Sequence, residues 1–242
     1  MKSQKLNYDN INFFGEKIMI IASHPDDDIL GCGGLLAKLK AYNKIKIKVV
    51  FIAEGSSCRF STDDNINLVN KEIQLRNKFA SQALLYLGVT NSSFHNLKCG
   101  SLNCYPIIEI GKIIEREISS FKPHTIFTHN EKDLNKDHKI VHQSTLQATR
   151  PGALNYVKNL FSYEITSSSE WNFNSAFNPN YFVHLTKVHL NKKVRAFSYY
   201  KTEVKKYPSA RSLDSIKTLA RYRGIQGGSE FAEAYKLIRS LP

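Results

Sequence analysis

Two short segments hold most of the residues able to do chemistry. The first is His24-Pro25-Asp26-Asp27-Asp28, and the second runs from His129 through Asp133, Asn135 and Asp137 to His138. Imidazoles and carboxylates gathered in one place repel or stay unpaired unless a cation joins them. Histidine nitrogen with carboxylate oxygen is also a typical zinc set, in which catalytic sites use three protein ligands and keep a position for water. His24 and Asp27 stand three residues apart and can face the same way in a tight turn. His138 can supply a third ligand. Water on such an ion drops from a pKa near 15.7 to about 7. Asp26, a carboxylate outside the ligand set, can take that water's proton and later deliver it to a leaving amine.

Each of these residues also has a plainer reading. The HPDD turn could simply start a helix, with Asp27 or Asp28 as its N-cap. Asp137 could cap the helix that holds His138, orient a metal-bound histidine, or do both. His142, four residues beyond His138, could face the site, but its plainer reading is a surface or core histidine. Gly31-Cys32-Gly33-Gly34 is not GxGxxG, so it reads as close helix–sheet packing rather than a phosphate loop.

The elements that must position these groups alternate between strand and helix. Ile18–Ala22 reads as a buried strand, followed by a turn and a helix from Leu35 to Tyr42. Ile45–Ile52 is a β-branched strand, Ser56–Asn67 a polar loop, and Val69–Leu87 a helix stopped at Gly88. Val89–Phe94 reads as a short strand, Ile107–Ile118 as an amphipathic helix, and His124–Thr128 as a strand. A helix follows Asp137 to about Thr149, and Leu160–Ile165 reads as a fifth strand. Thr166–Asn180 is a Ser- and Asn-rich loop. The remaining C-terminal part reads as short strands followed by helices, roughly Lys187–Tyr199, Arg211–Tyr222 and Phe231–Ser240.

This alternation predicts an α/β fold, a Rossmann-like three-layer sandwich with a mostly parallel sheet. The expected organisation is a single domain over residues 1–242, with a core at 16–165 and a C-terminal elaboration at 166–242. Ligands of open α/β sheets bind beyond the carboxyl ends of the strands, at the topological switch point. With strand order 3-2-1-4-5, the first and fourth strands are neighbours, and the two polar segments meet in one crevice.

The 242 residues are 42% hydrophobic and 11% aromatic, enough for a sizeable core and against wholesale disorder. Thirty-four Lys and Arg against 21 Asp and Glu give a net charge of +13. The basic residues are scattered rather than blocked, so a nucleic-acid partner is not expected. The cysteines, at 32, 58, 99 and 104, form no CxxC pair and read as free thiols. No signal peptide and no membrane-spanning stretch is evident, and a cytoplasmic location is expected.

HPDD after the first strand, with the later Asp133-x-Asn135-x-Asp137-His138, resembles the PIG-L/LmbE-like zinc-dependent N-deacetylases. The resemblance extends to Ile52-Ala-Glu-Gly55, Arg76, Ala148-Thr-Arg-Pro151, Phe161-Ser-Tyr-Glu164, Arg221-Tyr-Arg-Gly224 and Glu233-Ala-Tyr235, across residues 16–240. It implies that His24, Asp27 and His138 hold Zn2+, and a two-histidine, one-aspartate set also accepts Fe2+, Co2+ or Mn2+. It implies that Asp26 is the general base and that Asp137 supports a metal-binding histidine or a protonated partner. Arg76 and Glu54 are expected at the substrate. Many relatives carry a histidine where this chain has Asn135, which can still donate to an oxyanion but cannot carry charge. The usual HPDDE ends here in Asp28, expected to keep the charge on a shorter stem.

The function so implied is removal of an N-acetyl group from an amino sugar or sugar conjugate, with the positive charge suited to a nucleotide- or lipid-phosphate-linked carrier. Trp171 and nearby tyrosines are expected either to stack on a sugar ring or to lie in the core. Two other classes compete: a catalytically silent relative that binds a sugar or a partner, and a basic nucleotide- or nucleic-acid-binding module, whose binding would weaken steeply with salt.

Overall fold

The computed structural model describes residues 11–42, 44–61, 63–152 and 156–242. In chain order the elements are β1 (Lys17–Ala22), α1 (Asp27–Leu39), β2 (Lys46–Ala53), α2 (Ile66–Tyr86), β3 (Asn91–Leu97), α3 (Ile107–Phe121) and β4 (Thr125–His129). They continue as α4 (Lys136–Ala148), β5 (Asn159–Tyr163), β6 (Tyr181–Leu185), α5 (Lys187–Phe197), α6 (Leu213–Gly227) and β7 (Phe231–Ser240).

The seven strands form one sheet in the order β3-β2-β1-β4-β5-β7-β6. The first five are parallel, and β7 runs antiparallel to both β5 and β6. Alternate side chains of β1 feed opposite cores, as the two-residue strand period requires. Ile18, Ile20 and Ala22 pack with α1, α5 and α6, while Met19 and Ile21 pack with α3 and α4. This is the expected three-layer α/β architecture. The order in which strands are added reverses between β1 and β4, so the crevice lies past Ala22 and His129.

The polar segments sit on either side of that crevice. Ile18 pairs with Thr125 and Ile20 with Phe127. The peptide N–H of Ser23, just past β1, then donates to Nε2 of His129 over 2.8 Å. The two strands are thus tied at the point where the metal-type residues begin.

Two expectations are corrected. The first helix starts at Asp27 rather than Leu35, and Gly31, Gly33 and Gly34 lie inside it. A Cβ on Gly31 would stand 2.4 Å from the Tyr163 ring, and one on Gly34 would stand 2.4 Å from Leu185 and 2.9 Å from Glu233. Close packing is therefore why glycines are used, and packing outweighs their poor helix propensity. The Gly34 N–H and the Leu30 carbonyl, ordinary partners at i and i−4, are each engaged from outside. Glu233 accepts from the N–H groups of Gly34 and Leu35, and Nζ of Lys193 donates to Leu30 O and to Glu233.

The second correction is Phe231–Ser240, which forms strand β7 instead of a helix. Its first five residues are all buried, because the strand runs inside the sheet and is covered on both faces. Burial on both sides erases the alternation that marks a half-exposed strand. Residues 166–242 add β6 and β7 to the sheet.

Candidate metal centre

Strand β1 ends in the turn that carries the first polar segment. Asp27 N–H donates to His24 O (3.2 Å), and Asp27 Oδ2 accepts from the N–H of His24 (2.9 Å). Asp26 sits between them at φ 125, in backbone that favours glycine. Such strain persists only where the surroundings over-determine it, and it gathers at functional sites. The Asp26 carbonyl accepts from Ile29 and Leu30 and so opens α1. Neither Asp27 nor Asp28 is the N-cap: that position is Asp26, and its side chain makes no cap bond.

The turn aims three ligand-type atoms at one point. Nδ1 of His24 lies 3.4 Å from Oδ2 of Asp27, and Nε2 of His138 lies 3.3 Å from the same oxygen. One ligand atom from each of His24, Asp27 and His138 falls within 4.8 Å of the other two, and all three residues are buried. Oδ1 of Asp27 is buried without a hydrogen-bond partner. An orphaned carboxylate oxygen beside two imidazoles is what a cation would resolve, so the residues present fit the divalent ion.

The far nitrogen of each imidazole is held by a carboxylate. Nε2 of His24 lies 2.9 Å from Oδ2 of Asp137, and Nδ1 of His138 lies 3.2 Å from Oδ1 of Asp133. Such backing fixes ring orientation and raises ligand basicity. Asp137 also accepts from the N–H groups of Gly100 and Leu102, and Asp133 accepts from the hydroxyls of Ser168 and Ser169. Asp137 does not cap α4. Asn135 does, its Oδ1 accepting from Asp137 N–H at 2.9 Å. Asp133 had no role in the sequence reading; its signal was its place in the second polar segment, one turn of chain ahead of His138.

Charge follows from this geometry. Burial works against a charged His138, but Asp27 and Asp133 outweigh it and lift its pKa to about 10. Burial opposes charge on Asp27 too, yet His138 and His24 hold its carboxyl well below the usual range. The same balance raises His24 and lowers Asp133 and Asp137. His129, stacked on His138 at a ring distance of 4.0 Å, is pushed well down by burial and by the charge on His138. His142 bonds the His129 carbonyl and is buried.

Asp26 is fully buried between two guanidinium groups. Arg76 Nη2 is 3.2 Å from Oδ1, and Arg211 Nη1 is 3.3 Å from Oδ2. Burial nonetheless raises its pKa, with the two arginines pulling the other way. Glu203 binds Arg59, Arg76 and Arg211 together, which holds those charges in place. Arg76 is itself buried, its Nε donating to the Pro25 carbonyl, so the structure places it behind Asp26. Asp28 accepts from the Tyr200 hydroxyl, and burial pushes its carboxyl up to about 7. It therefore does not keep a full charge near neutrality.

Glu54 is also buried among protein groups. It accepts from the N–H groups of Ser56, Ser57 and Cys99 and from the Ser57 hydroxyl, pinning the loop after β2 to the loop after β3. That brings Cys58 and Cys99 together, with sulfurs 3.0 Å apart. A hydrogen bond from Cys99 lowers the Cys58 thiol to about 6. Trp171 is 56% exposed, which excludes the core reading. With Tyr207 and Tyr222 it lines a groove of 450 Å³.

The model of the PIG-L family, described as GlcNAc-PI de-N-acetylase, matches residues 19–149, a stretch that holds both polar segments. The chain belongs to the PIG-L family. An uncharacterised deacetylase of Escherichia coli, YaiS, is 26% identical over 186 residues, 76% of this chain and 90% of that protein. Among solved structures, the N,N'-diacetylchitobiose deacetylase of Pyrococcus horikoshii superposes with a TM-score of 0.75 at 18% identity, covering 96% of this chain and 88% of that one. GalB of Pseudomonas putida, a 4-carboxy-2-hydroxymuconate hydratase, superposes with a TM-score of 0.73 at 18% identity, over 94% and 98% of the two chains. A deacetylase and a hydratase share this PIG-L-like fold, so chemistry must be argued from the site. No helix of the described residues is long and apolar enough to cross a membrane.

Proposed function

We propose that this PIG-L family member is a divalent-metal-dependent N-deacetylase that removes the acetyl group from an N-acetylated amino sugar or sugar conjugate. The observation that carries this reading is the convergence of His24 Nδ1, Asp27 Oδ2 and His138 Nε2, each imidazole backed by a carboxylate. Zn2+ held by these three atoms would supply Lewis acidity at an amide carbonyl and ionise a water at neutral pH.

The chain's own residues do the rest. Asp26, in its charged form, accepts the proton of the attacking water on a carboxylate oxygen. It returns that proton to the sugar nitrogen as the C–N bond breaks, so acetate and a free amine leave. Burial favours the protonated state and Arg76 and Arg211 favour the charged one, which keeps both states within reach. Asn135 spends its Oδ1 on the cap of α4 and keeps its NH2 for a developing oxyanion. Arg76 serves Asp26 rather than the substrate, and Glu54 shapes the rim loops. The groove of Trp171, Tyr207 and Tyr222 offers ring faces to the sugar. It joins the site through Arg211, whose neighbour Ala210 lines the groove while its guanidinium touches Asp26.

The test is acetate release from N-acetylated sugars, free, nucleotide-linked and lipid-phosphate-linked. Release from at least one class should stop on chelation and return with Zn2+, Co2+ or Fe2+. Release untouched by chelation would remove the metal from the reaction. Metal-loaded protein that binds these sugars and releases no acetate would be a silent binder instead.

A further inference from the structure

His24 has a second face. Its Nδ1 looks toward Asp27 and His138, while Nε2 looks the other way, toward the loops that follow β2 and β3. On that side a His24 nitrogen, Sγ of Cys99 and a carboxylate oxygen of Asp137 all lie within 4.8 Å of one another. Sγ of Cys58 stands 3.0 Å from Sγ of Cys99. Glu54 holds the two thiols in register by accepting from the backbone of both loops. Cys99 is buried and Cys58 is exposed, so the pair opens to solvent from one side.

We propose that Cys58, Cys99, Nε2 of His24 and Asp137 form a second, thiolate-bearing cation site, selective for a thiophilic divalent ion such as Zn2+ or Cd2+. His24, Cys99 and Asp137 supply three converging donors, and Cys58, in contact with Cys99, supplies the fourth of a four-coordinate set. Thiolate ligands favour soft and borderline ions over Mg2+ or Ca2+. The inner triad of His24, Asp27 and His138 contains no sulfur, so the two sites differ in kind. Binding displaces to solvent the two thiol protons and, when Nδ1 holds the inner ion, the Nε2 proton of His24, which becomes a bridging imidazolate; two metal–sulfur bonds form and no oxidant is involved.

The site rests on the metal-centre reading above in one respect, since His24 would bridge the two ions. An ion on Nε2 takes that nitrogen from Asp137 and draws electron density from Nδ1. A filled outer site should therefore lower turnover at the inner one, making free Zn2+ or Cd2+ an inhibitor at concentrations above those that load the triad.

The experiment is a Cd2+ titration of chelator-treated full-length protein, read by bound-metal stoichiometry and by thiolate-to-cadmium charge-transfer absorption. Two equivalents should bind, with the absorption growing alongside only one of them. Cys58→Ser with Cys99→Ser should remove the absorption and keep the sulfur-free equivalent. His138→Ala should do the reverse, which separates failure of this site from failure of the inner one. As a check that needs no variant, reversible methylthiolation of exposed Cys58 should weaken the absorption by tenfold or more in apparent affinity, and a reductant should restore it. Wild-type protein that binds one equivalent with no such absorption overturns the proposal. So does absorption that survives in the double serine variant, which would place the metal on Cys32 or Cys104. Protein that binds no Cd2+ at all overturns both sites.

Discussion

Oδ1 of Asp133 lies 3.2 Å from Nδ1 of His138, on the opposite side of the ring from the Nε2 that faces Asp27. The hydroxyls of Ser168 and Ser169 hold the other Asp133 oxygen, so the carboxylate cannot turn away. Asp133→Asn should weaken metal binding about 10- to 100-fold while leaving the fold intact. Competition against a chromophoric chelator measures this. An unchanged affinity would show that Asp133 orients nothing.

The two oxygens of Asp26 each lie against a guanidinium group and, among the described residues, accept no hydrogen bond. Asp26→Asn should keep the full complement of metal and lose about 10²- to 10⁴-fold in kcat. Metal analysis and acetate release on the same preparation decide it. Wild-type turnover by this variant would remove Asp26 as the base.

Arg76 lowers the pKa of Asp26 through its charge and positions the turn through Pro25 O. Arg76→Gln should therefore lower kcat more than it raises KM. It should also move the acid limb of the pH–rate profile upward, because one cation that favours charged Asp26 is gone. A rise in KM alone would instead make Arg76 a substrate contact.

Asp28 makes stability depend on pH. Burial raises its folded pKa to about 7, above an unfolded value near 3.8, so the folded state holds the proton more tightly. The resulting stability is complete below about pH 4 and is lost as the pH rises through 7. Asp28→Asn keeps an oxygen for the Tyr200 hydroxyl and removes the ionisation. It should be more stable than wild type at pH 8, by on the order of 1–4 kcal/mol, and little different at pH 4. Thermal unfolding of chelator-treated protein at both pH values checks the sign, and an equal shift at both would exclude this cause.

The parallel core was readable from the chain because β1, β2 and β4 are short apolar runs separated by helical periods. The meeting of the two polar segments followed from strand order alone. What stayed hidden depended on tertiary partners. Phe231–Ser240 looks helical because burial on both faces removes its alternation. Asp133 and Asp137 could not be sorted by spacing, since each backs a different histidine. The placements of Arg76 and Glu54 could not be read either, as no local pattern reveals that a long polar side chain turns inward onto backbone and buried carboxylates. Cys58 and Cys99 lie on separate loops and meet only because β2 and β3 are neighbours.

The grip of Glu233 and Lys193 on the middle of α1 has a consequence for biogenesis. Helix α1 begins at Asp27, and its packing is sealed by a strand translated some two hundred residues later. On the ribosome, a nascent chain that has produced the HPDD turn but not yet β7 lacks the clamp that seats that helix. Metal acquisition at the proposed centre should therefore be a late event, coupled to emergence of Phe231–Ser240 rather than to synthesis of the ligands themselves.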